Sequence, residues 1–382
     1  MPLPRDGLLQ LTPEGLYCPA ADAWIDPWRP VPRALITHAH ADHARPGCGR
    51  YWAVASGAEV LRRRLGSGID LVTVDTGQEH RLGGARVSFH AAGHVLGSAQ
   101  IRLEAGGERW LVSGDYKRCP DPSCAPFEPV AADVFITEAT FALPIYRWRS
   151  GAAVAAEILR WWQASPDRPS LLFCYAFGKA QRVLAELARL GVGQPGQPGG
   201  AGNEILLHGA VAALIEPYRQ AGVVFPPLLP ASALPRSESV AGRLVLAPPA
   251  AHRSSWMRRF RQGQTAFVSG WMAVRGARRR RGFPRGFVLS DHADWNGLLT
   301  TVRQTGARQV YVTHGNADGL ARYLREVEGL QAEPLQGAFA AERSEDPEAA
   351  AVGEAEAEAE AEAEAAADGE SLRSGAQSVE EC

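Results

Sequence analysis

The stretch that most constrains this chain is Thr37-His38-Ala39-His40-Ala41-Asp42-His43. Three imidazoles and one carboxylate fall within six residues, in a chain that has 10 histidines in all. Neutral ring nitrogens and carboxylate oxygens are the donors that Zn²⁺ and similar divalent ions bind. The apolar run Ala34-Leu35-Ile36 just before them reads as the end of a buried strand. A strand that feeds directly into a tight loop leaves such donors little freedom, so the stretch predicts a metal site. A polar surface loop is the alternative, and this density of histidine weighs against it.

The same layout, an apolar run ending in histidine or an acid, returns along the chain. His94 lies in Ala92-Gly93-His94-Val95-Leu96-Gly97-Ser98, Asp115 follows Trp110-Leu111-Val112-Ser113-Gly114, and Glu138 ends Val134-Phe135-Ile136-Thr137. His292 follows Phe287-Val288-Leu289-Ser290-Asp291, and His314 follows Val310-Tyr311-Val312-Thr313. The expected donor set is His38, His40, Asp42, His43, His94, Asp115 and His314. That exceeds what one tetrahedral ion takes and suits two divalent ions, Zn²⁺ or Mn²⁺. Asp115 is the expected bridge, with His38, His40 and His94 on one ion and Asp42, His43 and His314 on the other. A water held between two cations loses its proton near neutral pH, and the resulting hydroxide can attack a phosphate. His292 is the expected general acid for the leaving oxygen, oriented by Glu138, and Asp42 counts with these two among the catalytic groups. His80, His90, His208 and His252 lack such a pattern and read as structural or exposed.

Organisation follows from periodicity. Helices are predicted at 56–65, with Ser56 as N-cap, at 151–164, from Phe177 to Leu190, at 296–305 and at 317–328. Strands alternating with helices between 142 and 269 predict a small parallel α/β unit inserted into a larger site-bearing domain. The expected boundaries are 1–141 and 270–341 for the two parts of that domain and 142–269 for the insert. Residues 342–382 alternate Glu with Ala over much of their length and predict an acidic, low-complexity, disordered tail.

Charge divides the same way. The formal net charge is −2, but the tail holds 14 acids and two arginines, which leaves residues 1–341 at +10. A basic body predicts a polyanionic partner. Residues 253–285 hold ten arginines and no acid. Arg275, Arg278, Arg279 and Arg280 are the expected phosphate contacts, with Lys179 as a further one. Trp256, Phe260, Phe267, Trp271 and Phe283 lie among these arginines, as base-stacking platforms or, more simply, as core. Only two of the 40 basic residues are lysine, Lys117 and Lys179. No run of about 18 apolar residues predicts a membrane span. The first residues lack a secretion-signal layout, and the six scattered cysteines read as reduced thiols, so a cytoplasmic setting is expected.

The motifs together resemble a known family. His38-x-His40-x-Asp42-His43, Gly93-His94-x-x-Gly97-Ser98-Ala99 and Ser113-Gly114-Asp115 are similar to the metallo-β-lactamase fold in its nuclease branch. Glu138-Ala139-Thr140, Asp291-His292-Ala293-Asp294 and Thr313-His314-Gly315 resemble motifs A, B and C of the β-CASP group. Phe177-Gly178-Lys179-Ala180-Gln181 resembles that group's inserted domain, and the likeness covers about residues 7–337. Ser113-Gly114-Asp115-Tyr116-Lys117-Arg118 and the run from Glu138 to Trp148 are similar to the bacterial ligase-associated DNA exonucleases. The resemblance implies a four-layer αβ/βα sandwich with a smaller inserted α/β domain, two zinc ions, and phosphodiester hydrolysis in the cleft between them. It also implies DNA repair, with a DNA ligase and a helicase as partners. His314 at motif C is shared with RNA-processing members, so an RNA nuclease of the mRNA 3′-end-processing kind stays open beside the DNA exonuclease. A small-molecule hydrolase such as a thioesterase is disfavoured by motif A, the insert and the basic body. A non-catalytic nucleic-acid-binding module is disfavoured by the complete donor set.

Overall fold

The computed structural model describes residue 3 and residues 7–200, 202–274 and 282–335. Arg275, Arg278, Arg279 and Arg280 and the acidic tail at 342–382 lie outside the described residues.

Three β-sheets with helices on their faces make a mixed α/β fold. The first sheet has six strands in chain order, from Gln10–Thr12 to Leu71–Val74. The second has seven, with Gln309–Thr313, Val134–Glu138 and Glu108–Val112 as parallel neighbours inside it. Their facing surfaces share one core, in which Leu16, Ile25, Leu35 and Val54 of the first sheet meet Phe89, Ile101, Val112 and Ile136 of the second. The outer faces are covered too. Helix Ala58–Leu65 sets Val60 and Leu61 against the first sheet. Helices Trp295–Thr305 and Ala317–Glu326 set Leu298, Val302, Leu320 and Leu324 against the second. Val134–Glu138 is therefore buried at every position, which is why it reads as an unbroken apolar run ending in an acid. A 3₁₀ turn, Ala55–Gly57, precedes helix Ala58–Leu65, and Gly57 rather than Ser56 is its N-cap.

The third sheet has six strands, every adjacent pair parallel. Helices Gly151–Gln163 and Lys179–Arg189 cover one face through Val154, Ile158, Val183 and Leu187. This sheet runs beyond the expected boundary at 269. Strand Arg285–Phe287 completes it by pairing in parallel with Gln264–Val268, because Phe287 has an apolar face to fill there. Phe260, Phe267 and Phe283 are core residues on the sheet's other face, packed with Phe173, and form no stacking platform. Trp256 and Trp271 pack on that core half-buried.

Register places the chemistry. Val112 stands opposite Ile136, and Glu138 opposite Thr313, so Asp115, Glu138 and His314 gather at the C-terminal ends of three adjacent parallel strands. Gly114 then lets the second sheet meet the first. Its φ is +54°, and a Cβ there would lie 2.6 Å from Cβ of Thr37, the residue before His38. Gly114→Ala should lower stability by about 1–3 kcal/mol through strain and overlap. Gly106→Ala, where φ is +62° and a Cβ meets nothing within 4 Å, isolates the backbone part. Denaturant unfolding should show the larger loss for Gly114→Ala; equal losses would remove the close approach from the argument.

Candidate metal centre

Three ring nitrogens and a carboxylate oxygen converge beside that contact. His40 Nδ1 lies 2.9 Å from His38 Nε2 and 3.1 Å from His94 Nε2. Asp115 Oδ2 lies 3.6 Å from His38 Nε2 and 3.7 Å from His94 Nε2. All four donors fall within 4.8 Å of one another. A tetrahedral ion with bonds of about 2.1 Å separates its ligands by about 3.4 Å, so this spacing suits one Zn²⁺.

The outer ring nitrogens settle which inner ones are bare. His94 Nδ1 donates to the Asp291 carbonyl at 2.7 Å, and His40 Nε2 faces the Phe177 carbonyl at 3.5 Å. The Thr37 hydroxyl donates to Asp26 Oδ2 at 2.5 Å and so accepts from His38 Nδ1 at 3.1 Å. Each histidine thus spends its proton outward and turns a lone pair inward. Facing lone pairs repel unless a cation lies among them, so the donor set fits a divalent ion.

Asp42, His43 and His314 form a looser group on the other side of Asp115. His43 Nε2 is 3.5 Å from Asp42 Oδ2 and 3.5 Å from Asp115 Oδ2. The His43 and His314 ring centres are 5.7 Å apart. Asp42 Oδ1 is buried without a hydrogen-bond partner, and a cavity of about 30 Å³ opens beside these three residues. His43 Nδ1 donates to Asp26 Oδ2 at 2.7 Å, so Nε2 is again the inward atom.

Electrostatics agree with this. His38, His40 and His94 are held below the ordinary histidine value, first by burial. Burial also opposes charge on His43, but Asp42, Asp115 and Asp26 outweigh it and hold its pKa well above the usual value. Burial likewise opposes charge on Asp115, yet His43 and His292 beside it keep its carboxyl well below the usual range.

A second close group is Asp115, Glu138 and His292, within 4.8 Å. His292 Nδ1 lies 3.0 and 2.9 Å from the two Glu138 oxygens and donates to that carboxylate. The Tyr116 amide also donates to Glu138 at 2.8 Å, which fixes the carboxylate. The His292 and His94 rings are 4.7 Å apart, and Trp148 Nε1 donates to the His292 carbonyl at 2.9 Å.

The structure thus brings His38, His40, Asp42, His43, His94, Asp115, His314, Glu138 and His292 to one place. It does not bring Lys179 to a surface that a phosphate could reach. Lys179 is fully buried, with Nζ 2.7 Å from Asp291 Oδ2. His90 is paired with Glu128 at 2.9 Å, and His208 caps a helix, so both have structural partners. Sequence reasoning misses Asp26, which orients both Thr37 and His43. Its signal is visible: Ala23-Trp24-Ile25-Asp26 is one more apolar strand ending in an acid.

Two predictions follow from the donor geometry. Asp26→Asn should weaken zinc affinity about 10–100-fold, the usual effect of removing a residue that orients a ligand, as measured by chelator competition. Metal-free protein should lose stability as pH falls below about 6.5. A histidine with a depressed folded pKa contributes stability above 6.5 and loses it as pH falls below that value, because the unfolded chain takes the proton first. His43, with a raised pKa, has the opposite sign, but it is one group against three. Thermal melts should fall with acid, by about 1.4 kcal/mol per pH unit for each net proton taken up on unfolding.

No protein-family model matches the chain. It is 32% identical over 322 residues to a protein of Opitutus terrae named "Probable DNA ligase", covering 83% of this chain and 30% of that protein. It is 32% identical over 114 residues to "Endoribonuclease YSH1" of Kluyveromyces lactis, covering 29% and 15%. It is 31% identical over 114 residues to "Cleavage and polyadenylation specificity factor 73" of Drosophila melanogaster, covering 29% and 17%. The chain spans less than a third of the length of each of these curated relatives. In fold it resembles a solved structure of a protein of unknown function from Enterococcus faecalis V583, with a TM-score of 0.52 at 11% identity, covering 80% of this chain and 79% of that one. The chain is therefore similar in sequence to proteins named as a DNA ligase and as endoribonucleases, and it carries a compact set of metal donors beside a histidine–glutamate pair.

Proposed function

We propose that this chain is a metal-dependent phosphodiesterase with the four-layer metallo-β-lactamase fold and a β-CASP insert, acting on DNA as an exonuclease in repair. The observation that carries the reading is the Glu138–His292 pair, a proton donor set beside a preformed cluster of bare imidazoles. Similarity over 83% of the chain to a protein named as a probable DNA ligase supports DNA as the substrate and DNA joining as the setting. A second reading, RNA cleavage, is supported by the similarity to proteins named as endoribonucleases and by His314.

His38, His40, His94 and Asp115 would hold one ion, and Asp42, His43 and His314 with Asp115 a second. Divalent ions so held lower the pKa of water and offset phosphate charge. The chain's own part in proton transfer falls to His292. Its Nδ1–H is given to Glu138, so proton exchange with a leaving oxygen runs through Nε2, and the imidazolium before transfer is offset by the Glu138 carboxylate. The loops around it exclude water, since His94, His292 and Glu138 are all buried.

End-labelled DNA and RNA, single- and double-stranded, with and without chelator, test the reading. Chelator-sensitive shortening of DNA is expected; cleavage of RNA alone would establish the second reading instead. His292→Ala should keep its metal and cut about 10²–10⁴-fold more slowly. Full rate in that variant would take His292 out of the chemistry.

A further inference from the structure

A second set of charges is buried behind the metal centre. Lys117, Asp121, Lys179, Arg182 and Asp291 are all nearly inaccessible, at 8% exposure or less. Asp291 forms an ion pair with Lys179, whose Nζ lies 2.7 Å from Oδ2, and accepts from Arg182 Nη1 at 3.0 Å on Oδ1, with Lys117 Nζ 3.8 Å away. Asp121 pairs with Lys117 and lies 3.4 Å from Arg182 Nε. The chain's only two lysines are both in this cluster, and every other cationic side chain is arginine. The compact Lys179 ammonium takes one oxygen of Asp291 while the Arg182 fork takes the other.

Such a cluster is a poor source of stability, because desolvating each charge costs as much as pairing returns, and apolar replacements are often neutral or better. What it does provide is position. The Asp291 carbonyl accepts from His94 Nδ1 at 2.7 Å, and the next residue is His292. Arg182 also donates to the Ser290 carbonyl at 2.5 Å, and Lys117 to the His94 carbonyl at 3.2 Å. Lys179 and Arg182 belong to helix Lys179–Arg189 of the third sheet, just after Phe177, whose carbonyl faces His40. One helix start therefore touches the supports of His40, His94 and His292 together.

We propose that Lys179 and Arg182 are positioning residues for the metal centre: by clamping Asp291 they fix the carbonyl that orients His94 and the backbone that carries His292. The third sheet thereby holds in register a donor set built by the other two. This rests on the metal centre proposed above, and for His292 on the nuclease reading. Lys179 is on this account a support, with no contact to substrate.

The test uses the full chain with Lys179→Met, Lys179→Arg and the double variant Lys179→Met/Asp291→Asn, which leaves the net charge of the cluster unchanged. Zinc affinity is measured by chelator competition, fold by thermal melting, and binding of a labelled DNA strand across a salt series. Zinc affinity should fall about 10–100-fold in Lys179→Met and in the double variant, with partial recovery in Lys179→Arg and an unchanged salt slope. Should Lys179→Met fail to fold because Asp291 Oδ2 loses its cation, the double variant carries the reading. Wild-type zinc affinity in the folded double variant would overturn the proposal. So would a salt slope smaller by about one in Lys179→Met, which would put the ammonium on a phosphate. A wild-type protein that binds zinc but cuts neither DNA nor RNA would end the nuclease reading and leave this one to be judged on zinc affinity.

Discussion

Bare imidazole nitrogens about 3 Å apart are the constraint under which the rest of this structure is arranged. Left alone, His38, His40 and His94 would turn apart or share protons. They stay because each outer nitrogen is committed: one to Thr37, one toward the Phe177 carbonyl, one to the Asp291 carbonyl. Those three partners come from the loop after strand Arg33–Leu35 of the first sheet, the turn into helix Lys179–Arg189 and the segment after strand Arg285–Phe287. The geometry of the donors is thus a property of three sheets held together.

The second sheet contributes differently. Its parallel strands stop in step, so Asp115, Glu138 and His314 reach one edge without special loops. Residues of like charge brought that close would repel, and the partners offset this. Asp115 faces His38, His43 and His94, while Glu138 is spent on His292 and the Tyr116 amide.

Much of this was legible in the sequence. An apolar strand ending in His, Asp or Glu is a local pattern, and it marks His38, Asp115, Glu138 and His314, while the spacing from His38 to His43 marks the rest of that loop. Two kinds of information were not local. The extent of the third sheet depends on where Phe287 finds an apolar face, which no window around residue 287 contains. The fate of Lys179 depends on Asp291, 112 positions away in the chain and 2.7 Å away in space. A lysine at a helix start reads as a phosphate contact until a carboxylate is found against it. Asp26 is the reverse case, a missed residue whose strand-then-acid pattern was there to read.

The spread of the donors along the chain has a consequence for biosynthesis. His314 is made about 276 residues after His38, and the supports of His94 and His292 wait on strand Arg285–Phe287. A growing polypeptide therefore holds no complete cluster until the segment that carries His314 has been made. Contacts of such sequence separation also close slowly, since a long loop must be ordered first. The donor set therefore closes only when segments far apart in the chain have met, and no single stretch of the polypeptide carries it alone.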